Sequence, residues 1–410
     1  MVQISKFKPI ETYKPSDEVL EKYAKVLVNF ALNSGEGVNK GEDVLITITE
    51  CARPILDFLY VEVIKSGANP IINLVPDNLK KKLFEIGSDE QISYYPEKLM
   101  KGKIDQIDHM LTIIGEWNLK EFSDVEPRKL MLSQKAMAPY MKLRNEKENR
   151  GEFTWTLGLY ATPAMAKEAG MSLEEYWDEI IKACYLDKGN PIEDWKKIQK
   201  KSYDNIEKLN NLKIDKIHLE AKNTNLWLKI GENRKWVGCS GRNIPSYEIF
   251  TSPDYRGTNG YIEFSEPLYR YGNIIKDIKL EFENGVVTKA TASEGEQILK
   301  EMIATQGADK VGEFSLTDSR FSRITKFMAN TLYDENVGGR YGNTHIALGK
   351  SFGDCYNGDP NSLSEEDWDN MGFNESAIHT DIVSTSDRKV TAYLSDGSKK
   401  VIFEDGKFQI

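Results

Sequence analysis

The spacing of apolar and polar positions divides this chain into two textures. Near its start Leu20, Ala24, Leu27 and Ala31 recur at helical spacing behind an acidic first turn, Asp17 and Glu18, and Gly35 offers a left-handed stop. Asp43–Thr49 then reads as a strand, residues 54–67 as a helix opened by Pro54 and closed by Gly67, and residues 70–75 as a second strand. That succession is a βαβ unit and predicts a parallel sheet, to which His109–Ile114 adds a buried strand. Between about residues 162 and 209 the period becomes helical. Ser172 and Glu175 form a capping box ahead of an apolar face that includes Tyr176, Trp177, Ile180 and Cys184, so Cys184 reads as a core thiol. A second helix sets Trp195, Ile198, Ile206 and Leu209 against a lysine face and stops at Asn210 and Asn211.

Past that point the pattern becomes strand-like. Ile278, Leu280 and Phe282 alternate with charged residues, and Asn284 with Gly285 turns the chain back into Val286 and Val287. Residues 294–306 read as a helix stopped by Gly307, and the Asp-Gly pairs at 396 and 405 predict a small β-meander. The expectation is an α/β protein of two domains. Residues 1–211 form a parallel-sheet α/β domain with a helical extension, and residues 212–410 a mixed α+β domain.

Composition narrows the function classes. The chain has 410 residues, with 54 Lys and Arg against 64 Asp and Glu, a formal charge of −10. No apolar run approaches the roughly 18 residues of a membrane span, and no arginine-rich segment supplies the electrostatic footprint of a nucleic-acid binder. The first nine residues lack the apolar core of a secretory leader, so a cytoplasmic chain is expected. Four widely spaced cysteines form no Cys-x-x-Cys pair and read as free thiols. Gly35, Gly37 and Gly41 mimic a dinucleotide fingerprint but precede the first strand, whereas such a motif must follow one.

Histidine is the scarcest chemistry, with four in the chain. His109 and His218 read as structural or surface imidazoles. His379 and Asp381 sit two apart in an apparent strand and project from one face, so they can ligate the same or neighbouring cations; a plain surface strand would have the same appearance. His345 follows a glycine-rich turn of the kind that carries functional groups. Glu248 and Glu313 each precede apolar residues, and such a glutamate lies either on a strand's solvent face or buried with a partner; spacing alone favours the solvent face.

Several segments together make the chain recognisable. They are Arg-Asn-Ile-Pro-Ser-Tyr-Glu-Ile-Phe at 242–250, Gly-Ala-Asp-Lys-Val-Gly-Glu-Phe-Ser-Leu at 307–316, Thr-Leu-Tyr-Asp-Glu-Asn at 331–336, Asn-Thr-His-Ile-Ala-Leu-Gly at 343–349, Asn-Glu-Ser-Ala-Ile-His-Thr-Asp at 374–381, and residues 159–172. In their order and spacing the chain resembles the thermophilic-type metallo-aminopeptidases, the family of aminopeptidase T, aminopeptidase S and PepS. The resemblance implies a centre of two divalent metal ions held by Glu248, Glu313, His345, His379 and Asp381, a donor set whose chemistry suits Zn²⁺, Co²⁺ or Mn²⁺. Glu313 would bridge the metals or accept the proton of the attacking water. It further implies hydrolysis of the amino-terminal bond of short peptides, and a homodimer that encloses its active sites. In the segment after the first histidine, where the family has a tyrosine, this chain has Phe352, and Tyr356 is the nearby hydroxyl able to substitute. The alternative reading is a catalytically silent metal-binding protein of the same fold.

Overall fold

The computed structural model describes residues 13–270 and 272–410; the amino-terminal segment read above for a leader lies outside them. The chain resolves into two compact units, residues 1–192 and 193–410.

In the first unit, helix α1 (Asp17–Val26) is capped by Ser16, whose hydroxyl accepts from the Val19 N–H at 3.3 Å. The expected βαβ unit is present as β1 (Asp43–Thr49), α2 (Arg53–Lys65) and β2 (Asn69–Val75), with β1 and β2 parallel. Strand β3 (His109–Ile114) is half-buried, alternating rather than buried throughout, and β4 (Thr154–Leu159) completes a parallel sheet of order β2-β1-β3-β4. His109 is structural: its ring nitrogens lie 2.8 Å from Thr154 Oγ1 and 2.8 Å from Glu42. The capping box opens α3 (Leu173–Ala183), and Cys184 is buried behind it.

The second unit takes the helix Pro191–Asn211, α4, almost whole. Trp195 explains why: its ring stacks on that of Tyr247 at 5.3 Å, anchoring the helix to the second unit's own core. An eight-stranded antiparallel sheet contains the hairpin of Lys279–Glu283 with Val286–Thr291 and the terminal meander of Arg388–Leu394, Lys399–Glu404 and Lys407–Phe408. On this sheet His218 points away from its apolar neighbours and stacks on Trp227 at 4.0 Å.

A second, five-stranded sheet sets the stage for chemistry. It pairs β5 (Glu248–Thr251), β6 (Val311–Thr317), β7 (Asn343–Gly349) and β8 (His379–Ser384) in antiparallel register, with the short Val237–Gly238 at one edge. One of its faces carries Ile249, Phe314, Leu316, Ile346, Leu348 and Ile382, which join Ile217, Leu219, Leu226 and Leu228 of the larger sheet in a single core. Alternation then commits the intervening residues to the opposite face.

Candidate metal centre

Each of the four labelled strands in this sheet contributes to one cluster on that opposite face. Register places Glu313, Ala347 and Asp381 in one row across β6, β7 and β8, and Phe250, Ser315, His345 and Val383 in the next. Glu248 comes from the start of β5, opposite Thr317, and His379 from the start of β8, opposite Gly349. Ala347 offers only a methyl group between Glu313 and Asp381, so both carboxylates can lean into the space above it.

A β-bulge aims Glu313. Val311 lies in the core and Glu313 in the cluster, although residues two apart share a face in a regular strand. The register slips between them at Gly312, and a Cβ there would stand 2.3 Å from the Lys350 carbonyl oxygen, a space only glycine tolerates. Gly349, at φ +111°, performs the matching service for His379: a Cβ would meet the Ile378 carbonyl at 2.0 Å.

Two donor triads result: Glu248, Glu313 and His345, and Glu313, His379 and Asp381, the ligand atoms of each lying within 4.8 Å of one another. Glu313 belongs to both. His345 Nε2 lies 2.9 Å from Glu313 Oε1 and 3.1 Å from Glu248 Oε2, while His379 Nε2 lies 3.3 Å from Asp381 Oδ1 and 3.6 Å from Glu313 Oε2. Nδ1 of His345 faces the Glu335 carbonyl at 3.1 Å, and that of His379 faces the Lys350 carbonyl at 2.7 Å. A carbonyl accepts, so each Nδ1 must carry its proton, and the neutral ring directs the Nε2 lone pair at the carboxylates. Two lone pairs at such range need a proton or a cation between them. Three buried carboxylates and two imidazoles of this kind fit divalent cations that accept nitrogen and oxygen donors.

Without a cation, protons fill the gap. Burial opposes the charged form of His379, yet Asp381 and Glu313 hold it up to about 9. Burial and the neighbouring Glu248 push Glu313 up to about 7. Burial also works against the Asp381 carboxylate, but His379 draws it down to about 2.

The flanking groups include several that residue spacing did not reveal. Ser315 donates to Glu248 Oε2 at 3.3 Å. Glu335 is buried, and burial together with Glu248 raises its carboxyl well above the ordinary range. Phe352 lies against the cluster, its ring centroid 4.6 Å from that of His379. Tyr356 packs edge to face on Trp368 at 5.6 Å and bridges by its backbone to Arg234. All four cysteines are free and buried, and no helix among the described residues is long and apolar enough to cross a membrane.

Comparison with known proteins places the chain in a family. Residues 16–408 match the model of the thermophilic metalloprotease (M29) family. Aminopeptidase AmpS of Bacillus subtilis is 28% identical over 95% of this chain and 98% of its own. Aminopeptidase PepS of Streptococcus thermophilus is 28% identical over 96% and 98%, and aminopeptidase T of Thermus thermophilus 26% identical over 95% and 98%. The solved structure of wild-type AmpT from Thermus thermophilus superposes with a TM-score of 0.81 at 23% identity, covering 96% of this chain and 99% of that one, a likeness of fold.

Proposed function

The chain belongs to the thermophilic metalloprotease (M29) family, and from that premise we propose that it is an aminopeptidase releasing the amino-terminal residue of short peptides at a centre of two divalent cations. The observation that carries this reading is the sharing of Glu313 by two donor triads. Glu248 and His345 would hold one cation, His379 and Asp381 the other, and Glu313 either spans both or takes the proton of the attacking water. Zn²⁺, Co²⁺ and Mn²⁺ suit this donor set. Such a pair of ions lowers the pKa of a bound water and polarises the scissile carbonyl. The protein's part is orientation: carbonyls of Glu335 and Lys350 lock both imidazoles, and Ser315 steadies Glu248. Apolar side chains left open on β2 support a homodimer, and light scattering tests it, a monomeric mass counting against it. A cytoplasmic location completes the reading.

Metal analysis after reconstitution, paired with a panel of aminoacyl p-nitroanilides, tests the proposal. Two metals per chain and amino-terminal release are expected; zero metals with all three cations rejects the centre. Phe352 favours a second reading, a silent metal-binding protein, because a phenyl ring stands at His379 where the family tyrosine would bring a hydroxyl. Wild-type turnover distinguishes the two, and Phe352→Tyr tests whether the missing hydroxyl is the cause. A hydroxyl aimed at a developing oxyanion contributes about 10²–10³ in kcat, so a slow enzyme should accelerate and a silent one should wake.

A further inference from the structure

The five donors are unequally covered. Side-chain exposure is 1% for His345, 4% for Glu313, 7% for Asp381 and 10% for Glu248, but 22% for His379. The cluster therefore opens to solvent at His379, and the residue standing there is Phe352. Its ring is tilted 52° over the imidazole and meets Phe250 at 5.7 Å in a T-shaped contact, yet 38% of the residue is exposed. The Phe352 N–H donates to Ser252 Oγ at 2.8 Å, which fixes the backbone from which the ring projects. Among the described residues, the second unit's other exposed large apolar side chains are Tyr203 and Tyr261; Tyr261 lies in the eight-stranded sheet, and Tyr203 on α4. At the mouth of a polar, carboxylate-rich cluster, an open phenyl ring on a fixed backbone supplies a wall for an apolar group.

Building on the proposed aminopeptidase reading, we propose that Phe352 determines specificity, its ring packing against an apolar side chain on the substrate's amino-terminal residue. With the peptide's amino end held among the donors, the side chain on the adjoining carbon cannot enter the covered side, where Glu313 and His345 are sealed. It leaves through the open side, across Phe352. Bulky apolar amino-terminal residues thereby cover a ring that water otherwise wets, and glycine does not.

The experiment compares the wild-type chain with Phe352→Ala and Phe352→Leu at matched metal content. One series varies the amino-terminal residue, leucyl against glycyl p-nitroanilide. Another varies the second residue, alanyl-leucine against alanyl-glycine. Dissociation constants for leucine hydroxamate and glycine hydroxamate, measured by calorimetry, give a readout independent of turnover. Phe352→Ala should lower the leucyl-to-glycyl preference about tenfold, mainly through KM, with the hydroxamate ratio falling in parallel and the alanyl series unmoved. Phe352→Leu should retain part of the preference, which guards against simple misfolding. A preference unchanged in both variants overturns the proposal, and so does a change confined to the alanyl series. If the wild-type chain hydrolyses nothing but still discriminates the hydroxamates through Phe352, the aminopeptidase reading fails while the apolar wall stands. Silence without discrimination removes both.

Discussion

Strands β2 and β7 each have seven residues, and their sequences suggest opposite fates. β2 reads Asn-Pro-Ile-Ile-Asn-Leu-Val, yet Ile71, Ile72, Leu74 and Val75 are 37–48% exposed. β7 carries Asn343, Thr344 and His345 and is buried throughout. Cover on the faces accounts for the inversion: β2 is open on both faces as well as at the sheet's edge, whereas β7 is flanked by β6 and β8 and buried on both faces. Apolar content alone therefore does not locate the interior of this protein. Asn343 and His345 survive burial because partners reach them, the Glu335 and Val337 carbonyls for Asn343 and Glu313 with the Glu335 carbonyl for His345, and it is beside such partnered groups that the candidate site lies.

The contrast can be broken at its centre first. Glu313→Ala should reduce activity by about 10²–10⁴ and lose metal while the circular dichroism spectrum is kept; a collapsed fold would mean the buried cluster is structural. On the apolar face of the same strand pair, Ile346→Ala should cost about 2–5 kcal/mol in denaturant unfolding, whereas Ile72→Ala on the β2 edge should stay within about 0.5 kcal/mol at a dilution where light scattering reads a monomer. Equal losses would dissolve the distinction between the two strands. pH sharpens it further. In the metal-free protein His379 is held protonated up to about pH 9, and a cation must displace that proton, so apparent metal affinity should rise about tenfold per pH unit toward that value. Proton release on loading near neutral pH, read by calorimetry in buffers of different ionisation enthalpy, checks the sign. Ser315→Ala should have a graded effect, weakening metal binding by about 10–100-fold through Glu248 without abolishing it.

Much of the fold was legible because periodicity reports burial. The βαβ start, the capping box at Ser172 and the hairpin at Asn284 all lie where a buried stripe or a turn dipeptide marks them. Apart from β3, the region between β2 and β4 was not legible for the same reason. Its helices Leu79–Ile86, Glu97–Gln106 and Pro127–Ala136 bury Phe84, Ile104 and no residue at all, respectively, so no apolar stripe exists to be read. At the site, His379 and Asp381 could be paired from local spacing. Glu248 and Glu313 were ambiguous until family resemblance chose between faces, since only the long-range register shows them facing inward. The carbonyls of Glu335 and Lys350 leave no trace in residue identity, because any residue could supply them.

The bulge at Gly312 has a further consequence. Strand β6 carries a phase shift, so the segment before it and the segment after it obey opposite parity. Substitutions on the core side and on the donor side of β6 are accordingly separable, and apolar repacking at Phe314 or Leu316 leaves the donor row in place. Changes of length beyond the bulge are not separable. Deleting Gly312 would give β6 a single parity with Val311 still opposite Leu348 and Glu313 still opposite Ala347, whereas adding or removing a residue between 313 and 316 would turn the core row and the donor row over together. Beyond the bulge this strand can therefore vary in composition far more freely than in length, and the place that tolerates the loss of a residue is the one with no side chain.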